Sequence, residues 1–425
     1  MDTLPEELLF EIFKYLNCDD IIHCGMTNQW INYVMKKDCF WYNKIKELDP
    51  KNYLKIDKII RQKHNPNKNF YQKYADYRKA IILHKFLYGK TLTTFRSVKK
   101  LKVKKILQPT QKFNKFPKYI DMMNPIELEL KEYELVEFPE VIGQWNQLTT
   151  IRMKKCQLNS IHPSIGKLQN LKELNLTYNK ITILPPEIKS LSNLEQIILN
   201  DNQLTEFPIS ILQLSKLYRI MLDNNKIPEL PNDIHLLTNL SILSLNENQI
   251  KILPDSIGKL NKLTELYVSH NQMRMLPFEF SDLINLTTLD CSNNQLICIF
   301  DTFCRLISLE KVGLDHNQLT MLPDKLDRLI NLKKICLDNN KFSEIPNIFN
   351  NAELKELFIQ NNCISNMNVK PKKDKQLSLY LYGNPLKRND WFTNYKVTEI
   401  RTGIRPDNIR LFTNIQNLFY FYSNY

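Results

Sequence analysis

The stretch LKELNLTYNKITILP, residues 171–185, sets the reading of the whole chain. In its first half Leu174 and Leu176 alternate with Glu173 and Asn175, the two-residue period of a strand with one buried face. Asn179 follows where such a strand would end, and its amide can satisfy backbone groups that a buried turn leaves open. Leu184-Pro185 then completes the unit. Four more stretches repeat the pattern: LEQIILNDNQLTEFP (194–208), LYRIMLDNNKIPELP (217–231), LSILSLNENQIKILP (240–254) and LTELYVSHNQMRMLP (263–277). The Asn column runs Asn179, Asn202, Asn225, Asn248, Asn271, Asn294, Asn317 and Asn340 at a spacing of 23, then Asn362 and Asn384 at 22. Tyr133 and Cys156 hold the same place in two earlier units, which makes about twelve units over 125–386. One unit cannot bury its own apolar face, so the units are predicted to stack as a solenoid, their strands forming a concave parallel sheet.

This pattern resembles leucine-rich repeats of the short type ending in Leu-Pro. The Asn ladder, Cys156 and Cys291 are read as structural. Phe300 stands where the other units carry Pro, so the outer connection of that unit is expected to differ slightly. In LYLYGNPLKRNDWF (379–392) the leucine frame stops at Asn384-Pro385, and such a Gly-Asn-Pro-Leu run commonly marks the last unit of these proteins. Residues 387–425 are expected to cap the open end of the stack.

The N-terminus reads differently. In LPEELLFEIFKYL, Leu4, Leu8, Leu9, Ile12, Phe13 and Leu16 fall on one face of a helix, with Thr3 and Glu6 placed as a capping box. Asp19 or Asp20 can cap a second helix and Asp38 a third. Three short helices in 1–48 enclose little core, so the apolar face calls for a partner surface. The order Leu4-Pro5, Ile12-Phe13, Leu16, Asp19-Asp20-Ile21-Ile22, Trp30 and Phe40-Trp41 resembles an F-box. The resemblance implies docking on the Skp adaptor of Skp–cullin–F-box ubiquitin ligases through Leu4, Pro5, Leu8, Ile12, Phe13, Leu16 and Ile22. The expected class is therefore α/β: an N-terminal three-helix F-box followed by a leucine-rich repeat solenoid. Residues 49–124 are read as a basic helical linker and N-terminal cap, with a helix over 70–89.

Charge is unevenly spread. Residues 1–124 hold 25 Lys and Arg against 12 Asp and Glu, which leaves 33 of each for the remainder, so the whole net charge of +13 lies before the repeats. The run SVKKLKVKKIL could bind nucleic acid or acidic lipid; a linker and solenoid cap is the favoured reading, and neither nucleic acid nor a membrane is an expected partner. Nine cysteines without a CxxC pair argue against a zinc site or a disulfide framework and for a reducing compartment. With 8 glycines, phosphate-cradling Gly-rich loops are not expected, and no 18-residue apolar window predicts a membrane span. No basic stretch precedes an apolar one at the N-terminus, so no secretory signal is read. The cytoplasm is the expected compartment, with the nucleus as an alternative. The richness in Lys, Asn and Ile is that of an AT-rich genome; in a viral chain the host cytoplasm would apply.

No cofactor, metal or catalytic constellation is expected. The sequence reads as a non-catalytic substrate adaptor, whose partners would be a Skp-type adaptor, a cullin ligase core and a protein substrate. The alternative is a repeat scaffold binding a small GTPase or phosphatase without ligase work. Strand side chains two, four and six residues before each Asn should face the concave side. The substrate contacts expected there are Ile198, Met221 and Tyr267 as exposed anchors, with Asp223 and Glu247 on an acidic edge suited to a basic-faced protein.

Overall fold

A computed structural model describes residues 100–104, 125–132, 135–348, 351–366, 377–386 and 399–401. The expected helices of 1–48 and 70–89, and Tyr133, lie outside the described residues. The chain divides into two compact units, Met1–Lys226 and Ile227–Tyr425.

The first unit carries parallel strands β1 (Lys100–Lys104), β2 (Glu127–Lys131), β3 (Thr150–Lys154), β4 (Glu173–Asn175), β5 (Gln196–Ile198) and β6 (Arg219–Met221). The second carries β7 (Ile242–Ser244), β8 (Glu265–Tyr267), β9 (Thr288–Asp290), β10 (Lys311–Gly313), β11 (Lys334–Cys336), β12 (Glu356–Phe358), β13 (Ser378–Tyr380) and β14 (Glu399–Arg401), again parallel and in chain order. Strands β2 to β13 fall one per repeat. The basic run supplies β1, whose alternation is in register with the repeat: Leu101 and Val103 pair with Leu128 and Leu130, Lys100 and Lys102 with Glu127 and Glu129. At the other end, β14 pairs with β13 with Arg401 opposite Tyr380.

After each of the strands β2 to β10 the chain makes a short 3-10 segment, set by its sequence. In the 171–194 repeat Pro185 brings no N–H of its own, and its carbonyl accepts from Ile188 N at 3.1 Å. Ile188 O then accepts from Leu191 N at 3.0 Å, and Leu191 O from Leu194 N at 2.8 Å. Three i+3 bonds in series hold Ile188, Leu191 and Leu194 against Leu174 and Leu176 in a dry core. The connection at Phe300 does not differ as expected: Phe300 takes φ −73° and ψ 155°, close to the φ −64° and ψ 156° of Pro277, and accepts from Phe303 N at 3.0 Å. Any L residue reaches this extended geometry; proline only pre-sets it. The shortened 3-10 segment is Leu326–Arg328, one repeat later.

The ladder asparagines from Asn179 to Asn362 are buried, and each side-chain amide binds several backbone groups. Asn202 Oδ1 accepts from Ile181 N at 3.1 Å, and its Nδ2 donates to Leu176 O at 3.0 Å and Leu199 O at 2.9 Å. The same set recurs in both units. In the Asn column Cys156 is fully buried, its Sγ 3.4 Å from Lys154 O and 3.8 Å from Leu130 O, so a thiol takes the donor role of the amide.

Candidate protein-interaction surface

The sheet's outer face is built of three columns per unit. With adjacent strands about 4.8 Å apart, a middle-column side chain is walled in by its own strand's outer positions and by its neighbours. Asn175, Met221, Ser244, Asp290, Cys336 and Phe358 are accordingly buried, while Ile198 and Tyr267 are half-buried. This corrects the expectation for Met221. It is 5% exposed, with Arg219 Nε 3.3 Å from its sulfur, so it does not project as an anchor.

In the first unit the polar groups are tied to one another. Arg152 Nε donates to Glu173 Oε1 at 2.6 Å and its Nη2 to Oε2 at 2.5 Å, a bidentate pair that holds the guanidinium above its ordinary pKa. Asp223 Oδ2 accepts from Asn200 Nδ2 at 2.9 Å, and its backbone N donates back to Asn200 Oδ1 at 3.0 Å. Asp223 is thus a fixed, half-buried acceptor.

In the second unit Tyr267 OH donates to Glu265 Oε2 at 2.8 Å, and the residue is half-buried. Glu247 is exposed but belongs to the turn: it holds φ 53°, the left-handed region. The residue before each ladder Asn does the same, as in Asp201 (57°), Asn224 (51°), His270 (52°), Asn293 (52°) and Asn361 (52°). This explains the frequency of Asn, Asp and His there, residues that tolerate αL better than most. Sequence reasoning took the acidic members for a functional edge and missed the backbone requirement. It also missed an exposed second ladder, in which Asn170, Asn193, Asn285 and Asn331 donate to carbonyls 24 residues earlier at 2.7–2.9 Å. Its signal was available as a second Asn-rich column.

Asp290, Asp315 and Asp338 come from neighbouring repeats of the second unit, and the Asp315 charge adds to the upward push that burial gives Asp290 and Asp338. Asp290 is pushed up by burial, against bonds from Ser292 N at 3.0 Å and Ser292 Oγ at 2.7 Å. Burial pushes Asp338 up to about 6, against a bond from Gln360 N. Beyond them Phe358 stacks on Tyr380 with centroids 4.3 Å apart, and Lys334 Nζ lies 5.0 Å from the Phe358 ring centroid. Among the described residues no group of three or more His, Cys, Asp or Glu is arranged to hold a metal ion, and no helix is long and apolar enough to cross a membrane. Cys156, Cys291, Cys298, Cys304, Cys336 and Cys363 are free thiols.

Comparison with known proteins adds to this geometry. The family model described as leucine rich repeat matches residues 146–205 and 215–273, and that for two-copy leucine rich repeats matches 261–303. The F-box-like family model matches 1–46. A leucine-rich repeat protein of Leptospira interrogans is 30% identical over 68% of this chain and 81% of its own, with a TM-score of 0.58. The chain belongs to the leucine-rich repeat family and carries an F-box-like domain at its N-terminus. The plant peptide hormone receptor RGFR1, solved in complex with RGF2, is 25% identical to this F-box/leucine-rich repeat protein over 64% of the chain, with a TM-score of 0.57. The match spans only 46% of the receptor. An internalin of Listeria monocytogenes, 18% identical with a TM-score of 0.56, shares the fold. No curated protein matches the chain. The expected adaptor contacts Leu4 to Ile22 lie inside the F-box-like match and outside the described residues.

The raised proton affinity of Asp338 has a consequence for stability. Its folded pKa of about 6 lies above the ordinary 3.8, so protonation favours the folded form. Its stabilising contribution is full below pH 3.8 and is lost as pH rises through about 6. Asp338→Asn keeps an oxygen for Gln360 N and removes the charge. Thermal melts should show the variant above the parent at pH 7–8, with the difference gone below pH 4, about the ordinary carboxylate pKa. An equal shift at all pH values would sink the assignment.

Proposed function

We propose that this protein is the substrate-recognition adaptor of a Skp–cullin–F-box type ubiquitin ligase. The observation that carries the reading is an F-box-like domain at 1–46 joined to a leucine-rich repeat stack. That architecture is typical of non-catalytic interaction adaptors. Ligase chemistry then belongs to partner subunits, and this chain needs no nucleophile, metal or cofactor. The F-box contacts a Skp-type adaptor through Leu4, Pro5, Leu8, Ile12, Phe13, Leu16 and Ile22. The outer face of the sheet holds a protein substrate. Free thiols in the repeats fit a reducing compartment, and the cytoplasm is the proposed location.

Substrate contacts are proposed unit by unit. Ile198 and Asp223 serve in the first; Tyr267 and Glu247 serve in the second, where the part-exposed Asp315 and Asp338 favour a basic-faced substrate. Met221 supplies a packed floor. The deciding experiment is co-purification of the full chain with a Skp–cullin core; failure to co-purify removes the ligase reading. A second measurement tests the substrate face. Tyr267→Ala should weaken retention of a captured substrate by about fivefold or more while leaving Skp capture unchanged, since a partly exposed aromatic anchor is worth about 1–3 kcal/mol. Undiminished retention, or crosslinks confined to the 3-10 side, places the substrate elsewhere.

A further inference from the structure

The second unit exposes an apolar stripe on the side away from the sheet face. Four residues after the ladder Asn, successive repeats present Ile252, Met275, Cys298 and Met321. Ile252 is 52% exposed, Met275 39% and Met321 68%, and Cys298 is half-buried. Phe278, Ile297 and Phe300 widen the stripe at its middle, each more than two fifths exposed. Phe300 is the residue that interrupts the Pro column of Pro254, Pro277 and Pro323. Beneath it lies a shallow recess lined by Leu276, Pro277, Phe280, Cys298 and Phe303. Side chains of this size and exposure make a contiguous patch on the order of several hundred Å², the scale at which an apolar surface marks an interface. Because the repeat core is already filled beneath it, nothing in the stack requires these residues to be apolar.

The stripe has unlike edges. The chain crosses it in the same direction in every repeat, so residues just before it line one edge and residues just after it line the other. Before it stand Lys251 and Arg274; after it stand Asp255, Phe278, Asp301 and Asp324. The five charged residues are exposed and have no ion-pair partner among the described residues. We propose that the stripe seats a second copy of this chain, related by a two-fold axis parallel to it. That operation lays apolar stripe on apolar stripe and exchanges the edges. Lys251 of one copy then faces Asp255 of the other, and Arg274 faces Phe278 with Asp301 one repeat beyond. A two-fold perpendicular to the stripe would set basic edge on basic edge, so the charge pattern selects one geometry. The sheet face stays open in both copies, so pairing leaves the proposed substrate surface free.

The test is sedimentation of the full chain and its variants. The parent should show a concentration-dependent dimer, complete by about 100 μM, the range in which a micromolar interface saturates. Met275→Glu with Met321→Glu, both at exposed positions, should weaken it by at least a hundredfold with melting unchanged. Lys251→Glu with Arg274→Glu should weaken it by about tenfold, and adding Asp255→Lys and Asp301→Lys should restore it. A chain that stays monomeric, a dimer indifferent to the Met substitutions, or charge reversals that do not rescue each other would overturn the proposal. So would a monomer that captures a different protein through Met321.

Discussion

Alanine at both Ile12 and Phe13 should abolish capture of a Skp-type adaptor. Both belong to the apolar set that the sequence spacing assigns to one face of an expected helix, and both lie within the F-box-like match. Burying each side chain against a partner is worth roughly 1.5–3 kcal/mol. Together they account for about 3–6 kcal/mol, a loss of two to four decades in affinity. Micromolar or tighter binding then falls below what a pull-down retains. The repeats fold around their own core, so their melting transition serves as the control. If the folded double variant captures Skp as the parent does, the helix is not the docking element and its apolar face must be covered otherwise. A polar change outside the proposed contact set, such as Glu7→Gln, should leave capture within a factor of about two, since charges at a rim contribute little.

Asn271→Ala should be the most damaging single change in the second unit. Asn271 Oδ1 accepts from Ile250 N at 2.9 Å, and Nδ2 lies 2.9 Å from Leu245 O, 3.1 Å from Val268 O and 3.0 Å from Ser269 O. Alanine strands those buried groups, at about 1–3 kcal/mol for each left unsatisfied, so a loss of about 3 kcal/mol or more is expected in denaturant unfolding. Asn271→Asp keeps the acceptor but loses the donors and buries a charge, so its destabilisation should ease as pH falls. Asn285 is the internal control. Its Nδ2 donates to Asn261 O at 2.7 Å on the exposed surface, and alanine there should cost about 0.5 kcal/mol or less. Equal losses at Asn271 and Asn285 would mean that the buried ladder does not hold the stack.

Much of the fold was legible because it is nearly one-dimensional. Each repeat touches chiefly the repeats before and after it, so a 23-residue period in leucine and asparagine specifies strand, turn and stacking together. The basic run illustrates the limit. Its charge drew attention to ligands, whereas its Lys-Leu-Lys-Val-Lys alternation is what pairs it with β2. The substrate face was less legible still. Met221 and Tyr267 occupy the same column, yet one is covered and the other half-open. Glu247 is exposed and is also a left-handed turn residue, a backbone role that its charge did not signal.

By itself, then, the sequence determined the leucine frame of the core, where the strand of each repeat lies, and that an F-box-like element precedes the repeats. These follow from side-chain periodicity and from the need of every buried backbone group for a partner, both local in the chain. Only the tertiary structure decided which outer side chains are accessible, that burial lifts Asp338 to about 6, and that exposed apolar residues from four repeats align between unlike charged edges. Those properties depend on the size and charge of neighbours some 23 residues away, which meet only when strands and 3-10 segments are laid side by side.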